Sequence, residues 1–171
     1  LNHSHYSALQ VKNALVDQQR ELWGDRSSID LEHPDLSLHL HLSRDGAVLS
    51  LDGSGSSLHR RGYRAAMGAA PLKENLAAGL IRLTGGDANM PLVDPCCGSG
   101  ILLIEAVLAA LQQAPGLDRD FALEGWADFE PDLWQDECSR ARNRRRRDLN
   151  LPPVIGIEQD PDIVAQANSN V

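Results

Sequence analysis

Apolar and polar positions alternate with a clear period in the first third of the chain. Between residues 6 and 23 apolar side chains recur at spacings of three and four, which predicts an amphipathic helix that stops at Gly24. Residues 36–42, LSLHLHL, alternate strictly and predict a strand. A turn at 43–46 and a returning strand at 47–52 complete a hairpin. This part is predicted to be a small α/β unit.

The next elements are predicted from residue 53 onward. Residues 53–70 are rich in Gly, Ser, Arg and Ala and are interpreted as a connector. Pro71 is expected to open a helix that Gly85 and Gly86 end, because proline is favoured in the first turn. The buried stripe of that helix is expected to consist of Leu72, Leu76, Leu80 and Leu83.

A strand, a glycine-rich turn and a helix follow in the order of a Rossmann-like fold. PLVD at 91–94 predicts a short buried strand, and a helix is expected from about Ile101 to Gln113. After an irregular or helical stretch, VIGI at 154–157 predicts a second apolar strand and 161–170 a further helix. Since only two strands of such a sheet are visible, the sequence is expected to cover the front part of a larger domain.

The turn DPCCGSG at 94–100 carries the candidate chemistry. Glycine at 98 and 100 lets the backbone approach a ligand, and the following helix directs its amides toward it. A phosphate-cradling loop would need a lysine after Gly100, and the dinucleotide pattern fails because residue 103 is Leu. An acidic residue four positions before the first glycine fits S-adenosylmethionine (SAM) better.

An acidic side chain at the end of the second strand is the other half of this site. Glu158 can accept hydrogen bonds from both ribose hydroxyls of a nucleoside cofactor. Asp160 and Asp162 are interpreted as solvated or helix-capping residues. His39 and His41 share one strand face, but no third ligand has a suitable spacing, so no bound metal is expected.

Charge and cysteine content narrow the class of protein. The net charge of −8 argues against a general nucleic-acid binder. Local basic clusters can still contact phosphate, and there are two, at 60–64 and 140–147. The second cluster has two interpretations, a solvated helix face or a contact with rRNA phosphates. Three sparse cysteines and the lack of a long apolar run indicate a reducing cytoplasm and no membrane partner.

Four motifs in order give the chain a specific family resemblance. SLHRRGYR (57–64), APLKENLAA (70–78), DPCCGSGILLIEA (94–106) and APGL (114–117) resemble the THUMP-domain RNA guanine-N2 methyltransferases. The bacterial 23S rRNA (guanine-N2)-methyltransferases, once labelled N6-adenine-specific DNA methylases, are the most similar group. Residues 1–56 resemble the C-terminal part of a THUMP RNA-binding domain, 57–70 the connector, and 71–171 the N-terminal part of a class I methyltransferase domain.

The resemblance implies roles for individual residues. The implied SAM-binding residues are Asp94, Pro95, Cys97, Gly98, Ser99, Gly100 and Glu158, together with Pro71, Leu72 and Glu74 before the sheet. The implied RNA-binding residues are Arg60, Arg61, Tyr63 and Arg64. Ile101 replaces the usual threonine after the second glycine, and Cys96 stands where the family often has Phe or Met.

The expected activity is methyl transfer from SAM to the N2 amine of a guanine in 23S rRNA. The Asn/Asp-Pro-Pro-Tyr motif that holds the target amine in similar enzymes does not occur, so no catalytic residue is assigned and the chain alone is expected to be inactive. Two alternatives stay open: a tRNA guanine-N2 or DNA/RNA adenine-N6 methyltransferase, and a non-catalytic RNA-binding fragment.

Overall fold

The computed structural model of the protein describes residues 4–64, 72–85, 88–147 and 150–171. The chain divides into two compact units, residues 1–53 and 54–171. In chain order the elements are α1 (Ser4–Trp23), β1 (Ser37–Ser43), β2 (Gly46–Asp52), α2 (Glu74–Leu83), β3 (Leu92–Asp94), α3 (Ile101–Ala110), a 3-10 turn (Ala122–Gly125), α4 (Pro131–Arg144), β4 (Val154–Gly156) and α5 (Pro161–Ser169). None of the helices in the described ranges is long and apolar enough to cross a membrane.

The first unit consists of α1 and an antiparallel hairpin, as the sequence predicts. Gly24 takes a left-handed backbone (φ 75°) and its amide donates to the Arg20 carbonyl at 3.0 Å, which ends α1. Strands β1 and β2 pair from Ser37 opposite Asp52 to Ser43 opposite Gly46. The strict alternation fixes this register because a shift of one residue would exchange the apolar and polar faces.

The second unit contains a two-stranded parallel sheet of β3 and β4. Leu92 lies opposite Val154 and Asp94 opposite Gly156. The prediction of a buried first strand is wrong in the described part of the chain, because Val93 is 53% exposed. There the sheet holds only these two strands, and Val154 and Ile155 of the second strand are also exposed.

Helix α2 begins later and faces another way than the sequence predicts. Its first residue is Glu74, after an extended Lys73. Pro71, the predicted first residue of the helix, lies outside the described residues. Glu74 and Ala77 are buried, whereas Leu76 is 53% exposed. Residues 74, 77, 78 and 81 share the packed face. The expected stripe of Leu76, Leu80 and Leu83 lies on the opposite, exposed side.

The packing of α2 explains this reversal. The helix packs against α3, and Glu74 on the packed side forms an ion pair with Arg64 at 3.3 Å. The spacing of apolar residues identifies a stripe that is able to pack, but it does not identify which side of the helix contacts the neighbouring helix. The α3 helix also ends earlier than predicted, at Ala110, because Gln112 takes a left-handed backbone (φ 54°).

The segment between α3 and β4 has its own aromatic cluster. The ring of Phe121 meets that of Trp134 edge to face at 5.4 Å, and Phe129 meets Trp134 at 6.3 Å. The Arg119 guanidinium lies 4.8 Å from the centre of the Phe121 ring. This cluster connects the 3-10 turn to α4, so the stretch that the sequence predicts as irregular or helical is a folded part of the second unit.

Candidate functional site: the glycine turn after β3

The turn between β3 and α3 depends on two left-handed glycines. Gly98 has φ 53° and Gly100 has φ 80°, a region that side chains with a Cβ rarely occupy. The Gly100 amide donates to the Cys97 carbonyl at 2.9 Å, and the Gly100 carbonyl accepts from the Ile104 amide at 2.9 Å. Gly100 is therefore both the last residue of the turn and the N-cap of α3.

Backbone hydrogen bonds continue the parallel strand pair into the turn. The Ile157 amide donates to the Asp94 carbonyl at 2.9 Å, and the Cys97 amide donates to the Ile157 carbonyl at 3.0 Å. The Asp94 carboxylate accepts from the Cys96 amide at 3.1 Å. The two strand ends and the turn thus form one hydrogen-bonded unit at the carboxyl edge of the sheet.

Glu158 meets the glycine turn directly. Its Oε2 accepts from the Gly98 amide at 3.2 Å, while its Oε1 accepts from the amides of Gln159 at 2.8 Å and Asp160 at 3.1 Å. The residues are 60 positions apart in the chain, so the fold brings together the two halves that the sequence predicts. Asp160 caps α5 by accepting from the Asp162 amide at 2.9 Å, which confirms its predicted capping role.

The carboxylates give the turn a negative local field. Burial raises the pKa of the Cys97 thiol, and the charges of Asp94 and Glu158 raise it further. The thiol is therefore neutral near pH 7 and is a poor nucleophile. A field that opposes a thiolate favours a cation, so the turn suits a ligand that carries positive charge.

Two residues that the sequence analysis missed, Asn170 and Gly156, hold the glycine turn in place. The Asn170 side chain is 4% exposed and its Nδ2 donates to the Ser99 carbonyl at 3.2 Å. Gly156 in β4 faces Cys97 and Leu103 so closely that a Cβ there would lie 2.7 Å from atoms of both. Nothing in the local pattern marks Asn170, whereas a glycine inside a strand is a recognised sign of close approach.

The predicted RNA-binding side chains after residue 60 point inward in this structure. The hydroxyl of Tyr63 donates to Glu105 Oε1 at 2.9 Å, and Arg61 Nε lies 3.2 Å from the same oxygen. The Glu105 side chain is 2% exposed and that of Arg61 12%. Burial is the main cause that raises the pKa of Glu105 and that of Tyr63. A single charged residue in the apolar run of α3 was the sequence signal for this cluster.

Arg64 forms a second inward contact. Besides its ion pair with Glu74, its Nη2 donates to the Leu72 carbonyl at 2.6 Å. Of the four predicted RNA-binding residues, Arg60 is the exposed one. Contact of Arg61, Tyr63 and Arg64 with RNA therefore stays a prediction that their geometry does not support. Their contacts with Glu105 and Glu74 instead hold the 61–64 segment to α2 and α3.

Part of the glycine turn lines a cavity of about 830 Å³. Its lining includes Cys97, Gly100 and Glu158. It also extends along α3 as far as Leu111, which is about 15 Å from the turn at the rise of an α-helix. The chemistry of the site therefore occupies only one end of this cavity. Asp94, Pro95, Gly98 and Ser99 belong to the turn but do not line it, and Leu72 and Glu74 lie on the α2 side.

Comparison with known protein families separates the same two regions of the chain. Residues 61–171 match the family of RMKL-like methyltransferase domains. The chain belongs to this family. Residues 1–52 match the THUMP domain. Both matches confirm the family and the class I methyltransferase fold that the resemblance implies.

Relatives of this methyltransferase family match nearly the whole chain. It is 48% identical over 176 residues to the ribosomal RNA large subunit methyltransferase K/L of Syntrophotalea carbinolica, with 99% of this chain and 25% of that protein covered. The protein of the same name from Pseudomonas aeruginosa is 43% identical, with 100% and 25% covered. The chain spans 44% of a Synechocystis relative that is 48% identical.

Solved structures of similar proteins share the fold. SMU.472 complexed with SAH superposes with a TM-score of 0.81 at 34% identity, covering 93% of this chain and 42% of that chain. A possible methylase from Clostridium difficile 630 has a TM-score of 0.84 at 34% identity, with 94% and 42% covered.

Proposed function

We propose that the glycine turn binds SAM and that the protein transfers its methyl group to ribosomal RNA. The observation that carries this proposal is the contact between Gly98 and Glu158 at the carboxyl ends of β3 and β4. Ligands of doubly wound α/β folds bind at that edge of the sheet. SAH, found with SMU.472, is what SAM becomes after it gives up its methyl group.

The residues of the turn fit this cofactor. A Cβ on Gly98 would meet no described protein atom within 4 Å, so the backbone there faces open space. Glu158 Oε2 accepts one bond from Gly98, and a carboxylate oxygen has capacity for a further donor such as a ribose hydroxyl. The negative charges of Asp94 and Glu158 favour a sulfonium cation. When bound, SAM supplies a methyl group on a positively charged sulfur.

The cofactor-binding set therefore centres on the turn. We assign SAM binding to Asp94, Pro95, Cys97, Gly98, Ser99, Gly100 and Glu158. Glu74 and Leu72, which the resemblance implies for SAM binding, contact Arg64, and this contact holds the preceding segment to α2. Catalysis by such a site is mainly positioning, because the cationic leaving group already drives the transfer.

For the substrate we propose the N2 amine of a guanine in 23S rRNA. The relatives named ribosomal RNA large subunit methyltransferase K/L and the match of residues 1–52 to the THUMP domain support an RNA substrate. The order of the four sequence motifs supports guanine N2. Such a base must leave its stack to reach the turn. A ribosomal substrate also supports a cytoplasmic location.

The domain boundaries are part of this proposal. The sequence predicts residues 1–56 as the THUMP part, 57–70 as a connector and 71–171 as the methyltransferase part. The division of the chain into compact units after residue 53 supports the first boundary. The family match that begins at residue 61 and the inward contacts of 61–64 favour a connector that ends earlier.

Transfer of tritium from labelled SAM tests the substrate. The whole protein is expected to label 23S rRNA and not tRNA or duplex DNA. Labelling of tRNA or of adenine in DNA would favour the alternative enzymes; one solved relative, from Listeria monocytogenes, bears the name of "a predicted N6-adenine-specific DNA methylase". RNA binding without SAM binding would favour a non-catalytic RNA-binding fragment.

Titration calorimetry with SAM tests the site. Gly98→Val is expected to weaken SAM binding roughly tenfold or more, because its branched side chain fills the open space at the turn. Gly85→Val is the matched control: Gly85 also has a positive φ (62°) and no described atom near its Cβ position, but it lies at the end of α2. Equal SAM affinities for both variants would contradict the assignment.

A further inference from the structure

We propose that the exposed arginines at the C-terminal end of α4 bind the phosphate backbone of the RNA substrate, an inference that rests on the proposed function and adds a contact surface to it. This arginine surface consists of Arg140, Arg142, Arg144, Arg145, Arg146 and Arg147. It holds six of the 16 Lys and Arg residues of a chain whose net charge is −8. All six arginines are exposed.

Ion pairing within the protein accounts for one of the six. Arg140 Nη1 lies 2.7 Å from Glu137 Oε1, three residues earlier on the same helix. Among the described residues no carboxylate forms an ion pair with any of the other five. A surface made to stabilise this protein would place acidic partners beside those guanidinium groups.

Helix stabilisation accounts for at most two more. Arg142 and Arg144 lie in the last turn of α4, where positive charge offsets the helix dipole. Helix α4 ends at Arg144, and Arg145 has an extended backbone (φ −63°, ψ 123°). Residues 145–147 therefore lie beyond the helix, where its dipole gives no reason for three successive arginines.

The backbone around these arginines is held in place. The Arg146 amide donates to the Leu111 carbonyl at 2.8 Å, which fixes the arginine segment against the C-terminal end of α3. Four helical steps of about 1.5 Å from Arg140 to Arg144, and at most about 3.3 Å per residue beyond Arg144, spread the charges over up to roughly 16 Å. That length is sufficient for contact with several successive phosphates of one strand.

The composition of the surface favours phosphate over bases. Arginine presents a planar fork of donors that matches phosphate oxygens. Trp134 packs on Phe121 and Phe129 rather than beside the arginines, so the surface offers no aromatic ring for base stacking. Contacts of this kind position RNA and carry no sequence information.

The location of the surface predicts which step it affects. The arginine segment adjoins Leu111, at the opposite end of α3 from Gly100. The length of α3 places it about 15 Å from the glycine turn. The surface therefore increases RNA affinity without touching the cofactor or the reacting amine.

The dependence of RNA affinity on salt tests this proposal. The full chain and its Arg144→Gln, Arg146→Gln, Arg147→Gln variant are titrated into a fluorescein-labelled RNA stem-loop at a series of salt concentrations. Each lost phosphate contact lowers the slope of log affinity against log salt by about 0.7–0.9, so the triple variant is expected to lose about 2–3. At fixed salt the affinity is expected to fall roughly tenfold or more. Glutamine is a good helix former, so α4 is expected to persist.

A single-substitution comparison controls for net charge. Arg82→Gln removes one exposed charge from the last turn of α2 and is compared with Arg144→Gln. Only Arg144→Gln is expected to lower the salt slope. Equal slopes for the native chain and the triple variant, no RNA binding by the native chain, or displacement of the RNA by polyglutamate at equal charge concentration would each overturn the proposal.

SAM titration of the same variants separates this proposal from the proposed function. SAM affinity is expected to be unchanged in the triple variant, because the surface lies at the far end of α3. If SAM binds normally while RNA affinity is insensitive to the substitutions, the arginine surface is wrong and the SAM site stands. If the native chain binds no SAM although it binds RNA through these arginines, the proposed function fails and the arginine surface stands.

Discussion

Gly156 shows how one missing Cβ allows a strand and a turn to meet. A Cβ at this position would lie 2.7 Å from Cys97 Sγ and 2.7 Å from Leu103 Cδ1. We expect Gly156→Ala to lower the free energy of unfolding by about 1–3 kcal/mol, since packed atoms must shift to admit the methyl group. Urea denaturation measures the change.

A second alanine substitution is the matched control for Gly156. Gly79 lies inside α2 and a Cβ there would meet no described atom within 4 Å. Gly79→Ala is expected to stabilise the chain by about 0.5–1 kcal/mol through helix propensity. Similar changes in the free energy of unfolding for the two variants would show that the close approach of Gly156 to Cys97 and Leu103 does not affect stability.

Glu105 is the buried charge on which the 61–64 segment depends. Glu105→Ala leaves Arg61 without its carboxylate and Tyr63 without its acceptor, and loss of one partner of a buried pair costs about 3–5 kcal/mol. Glu105→Gln keeps an oxygen for both donors and avoids the buried charge, so it is expected to cost less. Thermal and urea unfolding of the two variants tests this order.

The pH dependence of stability provides a second test of Glu105. Burial raises the pKa of this carboxyl above its ordinary value of 4.5. The folded chain therefore keeps the proton to a higher pH than the unfolded chain does. The contribution of Glu105 to the free energy of unfolding is greatest below pH 4.5 and falls as pH rises through the folded pKa. Glu105→Gln is expected to lack this fall, and an unchanged profile would show that Glu105 ionises normally.

Among the elements, those defined by local signals were predicted well. Helix α1, the β1–β2 hairpin and the β3–turn–α3 unit follow from period, glycine positions and strand alternation. The packed face of α2 could not be predicted in the same way, because it depends on the contact of Glu74 with Arg64, ten residues earlier. The pairing of Arg61 with Glu105 joins residues 44 positions apart, and no local pattern encodes such a partner.

Arg119 connects the start of the second unit to the stretch that contains the 3-10 turn before α4. Its Nη2 donates to the carbonyls of Ser54 at 2.9 Å and Ser56 at 2.7 Å, and its Nη1 to that of Ser57 at 3.3 Å. Gly55 (φ 72°) lies against Ala122 in the same contact. A single guanidinium, that of Arg119, therefore donates to three carbonyls of the 54–57 loop.

Substitution of Arg119 is expected to release this loop. Arg119→Lys has one compact ammonium in place of a planar fork and cannot reach three carbonyls together, so it is expected to behave like Arg119→Ala. Both should lower the free energy of unfolding by about 1.5–3 kcal/mol, the scale of one hydrogen bond to a charged group, because two of the three carbonyl contacts are exposed to water. Amide exchange of 54–60 is expected to accelerate; full rescue by lysine would contradict a requirement for the fork.

At the scale of the whole molecule, the cofactor is expected to act on one unit alone. The chain forms two compact units, and the proposed SAM-binding turn belongs to residues 54–171. A ligand at about 100 times its dissociation constant stabilises the state that binds it by about 2.7 kcal/mol. Amide exchange with added SAH is therefore expected to slow in 92–100 and 156–160 and to stay unchanged in β1 and β2. Equal slowing of amide exchange in the β1–β2 hairpin would show that the two units unfold together. Only such joint unfolding would transfer the SAH binding energy to amides of the first unit.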